Sequence, residues 1–225
     1  LQANIERMQG ICDANTVGLR PHIKTHKMLE VARRQLAAGA AGLVCSKLSE
    51  AEAMLPCGVR SIFVAHSIAD PLKIERIRHL SGRLDELLLA VTGEAHFERL
   101  DQILGDAFLR LPVMLAVDTC LHREGVRSLE AGKRLAARIR ASRWMELRGL
   151  YCHEGHAYGG AAMEKEKLAE DTVSVLHEYA QGIGGSLRLW PGCSVTAARI
   201  ASTGQVDAVR PGAYVFGDDS HARRL

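Results

Sequence analysis

Two patterns of apolar positions alternate along the whole chain. Short runs of consecutive apolar residues read as buried strands: VGLRPHIK (17–24), GLVC (42–45), SIFVAH (61–66), ELLLAV (86–91), PVMLAVD (112–118), ELRGLYC (146–152), SLRLW (186–190) and VDAVR (206–210). Between them lie stretches whose apolar residues recur at spacings of three and four, the signature of amphipathic helices. These include MLEVARRQLAAG, PLKIERIRHLSG, SLEAGKRLAARIRAS and EKEKLAEDTVSVLHEYAQG, and a first helix covers roughly residues 2–13. Gly39, Gly58 and Gly182 stand where helices should stop. Eight strands alternating with helices predict a (β/α)8 barrel, with a doubly wound open sheet as the alternative. With no low-complexity linker and no repeat beyond the β-α unit, residues 1–225 read as one domain.

Composition agrees with that class. The 225 residues are 47% hydrophobic and only 4% aromatic, which suits a helix-rich α/β protein better than a β-sandwich. A net charge of +3 over this length does not suggest a nucleic-acid partner. No apolar run reaches membrane-spanning length, and the N-terminal LQANIERMQG has the wrong character for a signal peptide. The six cysteines form no CxxC pair, and several sit in apolar runs, which points to reduced thiols in a cytoplasmic protein. The chain begins at Leu1 rather than Met and ends in SHARRL directly after a dense motif, so a piece of a longer protein is expected.

A barrel places its chemistry at the C-terminal ends of its strands. The first strand ends in Arg20-Pro21-His22-Ile23-Lys24-Thr25-His26-Lys27. A lysine beside other cations in a low-dielectric barrel mouth has a lowered pKa and is a competent amine nucleophile; a solvated basic loop is the plainer reading. Lys24 fits the role better than Lys27, because it alternates with His22 on one strand face while Lys27 opens the following helix. After the fifth strand, Arg123 is placed either to clamp an anionic or phenolate oxygen or to stand as a surface arginine.

After the sixth strand, Tyr151, His153, Glu154, His156 and Tyr158 crowd one loop. The spacing HExH is not the HExxH that puts two histidines on one helical face, so groups lining a cofactor ring are preferred to a metal site. After the seventh, Gly192-Cys193-Ser194 offers backbone N–H groups and a hydroxyl, and after the eighth, Gly212 lets the backbone approach an anion. A nucleophilic amine and a phosphate cradle at one barrel mouth suit pyridoxal 5′-phosphate (PLP).

RPHIKTHK resembles the PLP-lysine motif of the D-threonine aldolase and metal-dependent D-serine dehydratase family, whose barrel is that of the alanine racemase N-terminal domain. The resemblance extends through Cys45-Ser46-Lys47-Leu48-Ser49-Glu50-Ala51, Val117-Asp118 with Arg123 and Gly125-Val126, the Tyr151–Tyr158 segment, Gly192-Cys193-Ser194, and Arg210-Pro211-Gly212-Ala213-Tyr214 with Phe216 and Asp218. It implies that Lys24 is the Schiff-base lysine and that Tyr151 and Tyr158 line the cofactor. It also implies that Gly192, Cys193, Ser194, Gly212 and Tyr214 surround the phosphate, with Arg123 near the ring oxygen. Two departures stand out: some members carry Gln in place of Tyr151, and Gly192-Cys193-Ser194 replaces Gly-Ser-Thr or Gly-Gly-Thr. Members continue into a β-rich C-terminal domain that carries a His-x-Cys or His-x-Asp metal pair. A divalent metal, Zn or Mn, is therefore expected with ligands outside this chain, and the intact enzyme is expected to be a homodimer.

The implied activity is that of a lyase on β-hydroxy D-amino acids, either aldol cleavage or dehydration, with Lys24 as base and His153 or His156 as acid or base. Three other readings are a racemase of the same barrel type, a PLP-binding homeostasis protein, and a barrel that binds a sugar phosphate without PLP.

Overall fold

A computed structural model describes residues 1–159 and 162–217. The chain runs α1 (Gln2–Ala14), β1 (Gly18–Leu19), α2 (Leu29–Ala37), β2 (Leu43–Cys45), α3 (Leu48–Met54), β3 (Ser61–Val64), α4 (Ile74–Ser81) and β4 (Glu86–Val91). It continues with α5 (Glu94–Asp106), β5 (Leu111–Ala116), α6 (Leu129–Ala141), β6 (Met145–Tyr151), α7 (Ala162–Ile183), β7 (Arg188–Trp190), α8 (Ala197–Ser202) and β8 (Ala208–Val209).

All the strand pairs are parallel, with β2 to β7 in sequential order and β1 paired to β8. Backbone hydrogen bonds join the two sheets at both seams. Val44 N donates to Pro21 O at 2.8 Å between the β1 and β2 segments, and Asp207 N donates to Leu189 O at 3.1 Å between those of β7 and β8. The eight strands thus ring a common axis, as the β-α alternation predicts.

Strand alternation sorts the side chains into two layers. Along β4, Leu87, Leu89 and Val91 face outward, joining Ile77, Leu80, Leu100 and Leu104 of the helices. Leu88 and Ala90 face inward with Phe63, Met114, Tyr151 and Trp190, so the barrel interior is a packed core. The Phe63 ring meets Tyr151 and Trp190 edge-on, with centroids 5.0 and 5.8 Å apart. Below this layer, the first residues of β3, β4 and β7 close the N-terminal end. Glu86 accepts from Ser61 Oγ and from Arg188, both at 2.8 Å, while the Arg20 guanidinium lies 4.1 Å from the Trp190 ring centroid.

Three sequence expectations change in detail. The strand expected over 17–24 shortens to Gly18–Leu19, because Pro21 has no N–H for a ladder and His22 caps a 3-10 turn over Ile23–Thr25. Lys24 therefore sits on that turn rather than on a strand face shared with His22. Lys27, expected to open a helix, instead closes the turn at φ 52°, its N–H donating to Ile23 O, and α2 begins only at Leu29. Gly182 does not stop its helix, which runs on to Ile183. A Cβ at Gly182 would lie 2.7 Å from Leu129 Cδ1, so this glycine allows α6 and α7 to approach. Gly39, at φ 115°, and Gly58, at φ 80°, do follow helical turns as expected.

None of the six cysteines is disulfide-bonded. Among the described residues, no helix is long and apolar enough to cross a membrane.

Candidate active site

A cavity of about 560 Å³ opens at the C-terminal ends of the strands, and the segments following all eight strands contribute to its wall. His22, Lys24 and Thr25 come from the turn after β1, and Ser46 from the loop after β2. His66, Ser67 and Thr92 form the side opposite the β7 and β8 loops, whose Cys193, Ser194, Arg210 and Gly212 complete the wall. Of the residues singled out from sequence, Lys24, Arg123, Tyr151, His153, Tyr158, Gly192, Cys193, Ser194 and Gly212 all line it.

Two others do not reach it. His156 is exposed on the 3-10 turn Gly155–Gly159 and borders a separate surface depression with Leu168 and Asp171. Tyr214 turns behind the wall, where its hydroxyl accepts from Gln35 Nε2 at 3.1 Å and its ring packs near Ile5, Val31 and Val215. Its neighbour Ala213 occupies the lining instead. Asp218 lies outside the described residues.

The lysine turn is built from its own sequence. The Lys24 N–H donates to His22 Nδ1 at 3.3 Å, so His22 acts as the N-cap. Burial, and then the charges of Lys24 and Arg210, hold the His22 pKa well below that of a free imidazole. A neutral ring that accepts at Nδ1 carries its proton on Nε2, which lies 3.5 Å from Ser46 Oγ. Ser46 N in turn donates to Glu50 Oε2 at 2.7 Å, and Glu50 pairs with Lys27 at 3.3 Å. Lys24 itself is open to the cavity. Crowding by the walls strips water from its amine, and the Arg123 and Arg210 charges add to this, so its pKa is lowered from that of a free lysine.

The loops after β6, β7 and β8 are laced together. Arg210, 5% exposed, donates from Nε to Trp190 O at 2.9 Å and from its second terminal nitrogen to Cys152 O. Its guanidinium lies 5.2 Å from the Tyr151 ring centroid. His153 Nδ1 bonds Gly192 O, and burial with the nearby cations lowers its pKa to about 4. His153 is thus neutral at pH 7, donates through Nδ1, and keeps a lone pair on Nε2. Ser194 Oγ accepts from Gly212 N at 3.0 Å and Ala213 N at 2.9 Å. The Tyr158 hydroxyl is hydrogen-bonded to both the side chain and the backbone of Ser194, and burial pushes its pKa to about 12.

Packing requires both cradle glycines. A Cβ at Gly192 would lie 2.9 Å from the Arg210 side chain, and one at Gly212 would lie 2.9 Å from Thr25 Oγ1 and 3.0 Å from His22 O. Gly212 thereby seats the β8 loop against the lysine turn.

Tests of fit to PLP rest on three observations. The Tyr151 hydroxyl is buried without a hydrogen-bond partner and its ring lines the cavity. The Lys24 amine projects into the same space with a depressed pKa. Residues 192–194 and 212–213 line one stretch of wall with no carboxylate among them, and there the Ser194 hydroxyl, held through its oxygen by the Gly212 and Ala213 N–H groups, is a polar group suited to an anionic phosphate. These residues fit the group. For a metal the reverse holds: among the described residues, no three His, Cys, Asp or Glu side chains gather as ligands.

Arg210, His22, Ser46, Thr92 and Glu124 also line the cavity, though none was singled out for a role from sequence. Arg210 and His22 stand in the same motifs as Gly212 and Lys24, two residues from each, and position at a strand's C-terminal end is the available signal. The same signal applies to Thr92, which directly follows β4, and to Glu124, which directly follows Arg123.

Comparisons with known proteins agree with this geometry. The family model described as the alanine racemase N-terminal domain matches residues 1–220. The chain is 34% identical over 227 residues to D-threo-3-hydroxyaspartate dehydratase of Delftia sp. (strain HT23), covering 97% of this chain and 59% of that one. It is 27% identical over 226 residues to D-threonine aldolase of Arthrobacter sp., covering 98% of this chain and 59% of the relative. The solved Delftia dehydratase superposes with a TM-score of 0.89 at 31% identity over 99% of this chain and 60% of that one. D-threonine aldolase from Filomicrobium marinum shares the fold, with a TM-score of 0.92 at 24% identity, over 100% of this chain and 62% of that one. The chain thus spans about three-fifths of these relatives' length. A parallel barrel whose mouth gathers a lysine turn and a donor cradle, matched by the family model over residues 1–220, belongs to the alanine racemase N-terminal domain family.

Proposed function

We propose that this chain is the PLP-binding barrel of a lyase that acts on β-hydroxy D-amino acids, in the manner of a D-threonine aldolase or a D-serine dehydratase. The observation that carries it is the Lys24 amine, with its depressed pKa, sharing one cavity with the donor cradle of Ser194, Gly212 and Ala213. The relatives' names add the substrate class, since they act on D-threonine and D-threo-3-hydroxyaspartate.

When bound, PLP supplies an electron sink for negative charge developing at the substrate Cα. Lys24 Nζ holds the cofactor and, once released, takes the Cα proton on the dehydration route. On the aldol route a base is needed for the β-hydroxyl proton, and His153 Nε2 carries the lone pair to accept it. Ser194 meets the phosphate from its side of the wall, its hydroxyl held in place by the Gly212 and Ala213 N–H groups, with Cys193 giving backbone support. Tyr151 and Tyr158 line the ring, and Arg123 stands by for an oxygen anion on the cofactor or substrate. His156 is left out of this scheme by its position.

A divalent metal, where the intact enzyme uses one, draws its ligands from outside this chain, and no step here passes through it. The intact enzyme is read as a cytoplasmic homodimer.

The test begins with PLP added to the protein and reduction by borohydride. Lys24 should carry the reduced adduct, and Lys24→Ala should lose the lysine-bound absorbance band. A band that persists in that variant overturns the reading. In the intact protein with PLP and a divalent metal, D-threonine yielding glycine and acetaldehyde identifies the aldolase. D-serine yielding a 2-oxo acid and ammonia identifies the dehydratase.

A further inference from the structure

Glu154 is 0% exposed, does not line the cavity, and has no cation within ion-pair distance among the described residues. A buried carboxylate of this kind is costly unless its oxygens are satisfied by donors. Three donors converge on it. Thr196 Oγ1 donates to Oε1 at 2.7 Å, Gly192 N donates to Oε2 at 3.3 Å, and Cys152 Sγ donates to Oε2 at 3.7 Å. Each of these three groups can donate, as a carboxylate, which only accepts, requires.

The two main partners, Gly192 and Thr196, bracket a short turn. Its middle residue, Ser194, presents to the cavity the hydroxyl that also organises Gly212 and Ala213. The preceding residue, His153, bonds the carbonyl of the same Gly192 whose N–H Glu154 receives. Consecutive residues after β6 therefore hold both polar groups of Gly192, and the second of them reaches across to the far end of the turn.

The geometry points to Glu154 as a positioning residue: it fixes the 192–196 turn from behind, so that the donors around Ser194 are already arranged for an anionic phosphate. This role rests on the PLP reading above. Preorganisation of this kind stabilises the bound phosphate without Glu154 touching the cofactor, because the turn need not be ordered on binding.

The test compares PLP with pyridoxal, which lacks the phosphate, as ligands of the wild type and of variants, read by absorbance titration. Glu154→Ala should weaken PLP about tenfold or more, the scale of a lost charged hydrogen bond, and leave pyridoxal within about twofold. Glu154→Gln should recover most of the PLP affinity, since its amide oxygen still accepts from Gly192 and Thr196 Oγ1 can accept from its amide nitrogen. Thr196→Val should act in the same direction as Glu154→Ala, with Thr196→Ser restoring affinity; this pair carries the test if Glu154→Ala does not fold. Equal loss of both ligands, or loss of neither, overturns the positioning role. A wild-type protein that binds PLP no better than pyridoxal overturns the phosphate cradle itself, a result distinct from failure of Glu154 alone.

Discussion

The backbone N–H of Lys24 donates to Nδ1 of His22 at 3.3 Å, so the side chain two residues before the lysine caps the turn that carries it. His22 has extended backbone angles, φ −86° and ψ 113°, as an N-cap should. His22→Ala should cost about 1–2 kcal/mol of unfolding free energy in urea. His22→Asn keeps an acceptor for the Lys24 N–H and should restore most of that loss.

His153 gives the protein an acid-sensitive component. Its folded pKa of about 4 lies below the ordinary value of 6.5, so the unfolded chain binds a proton that the folded chain refuses. Its contribution is complete above the unfolded value and is lost as pH falls from 6.5 toward 4, by up to about 3 kcal/mol. His22, shifted the same way, adds to the loss. Denaturant midpoints measured across that range should fall steeply in the wild type. They should fall less in His153→Gln, which retains a donor for Gly192 O but does not titrate.

Arg123 lies in the cavity wall and helps to depress the Lys24 pKa, while its partner Glu124, 3.0 Å from it, works in the opposite sense. Removing the Arg123 cation alone takes away one of the two charges that depress the amine and leaves Arg210 and Glu124 acting in opposite senses. The pH profile for capture of pyridoxal by Lys24 should therefore show its inflection at higher pH in Arg123→Gln than in the wild type. An unmoved inflection would mean that desolvation and Arg210 set the amine's basicity without Arg123.

At Gly149 the parallel strands β6 and β7 come so close that a Cβ would lie 2.1 Å from Arg188 O and 2.8 Å from Met114 Cε. The register also slips here, with Val113 opposite Leu147 but Met114 opposite Gly149. Gly149→Ala should lower stability by at least about 2 kcal/mol, read as a fall in Tm, because backbone rather than a flexible side chain has to move.

Much of this was legible in the sequence, for physical reasons. All eight strands appear as apolar runs because a barrel strand is buried on both faces, as the Leu87–Leu89 and Leu88–Ala90 alternation within β4 makes plain. The cavity residues were legible because position after a strand fixes which end of the barrel a side chain reaches. The direction of a side chain within a loop is not encoded that way. His153 and His156 look equivalent in sequence, yet the 3-10 turn sends one into the wall and the other to the surface. Tyr214 fails similarly, since one 3-10 turn swings it toward Gln35. Glu154 read as part of an apparent metal motif, because its donors, Gly192 and Thr196, come from a distant loop that only the fold brings near.

Among the described residues, the plug of Arg20, Ser61, Glu86 and Arg188 beneath Trp190 closes the end of the barrel opposite the cavity. Whatever enters must depart by the same route, so a departing product and an arriving substrate cannot pass through opposite ends. Traffic at the mouth is therefore sequential, and any neighbour that covers the mouth governs arrival and departure together.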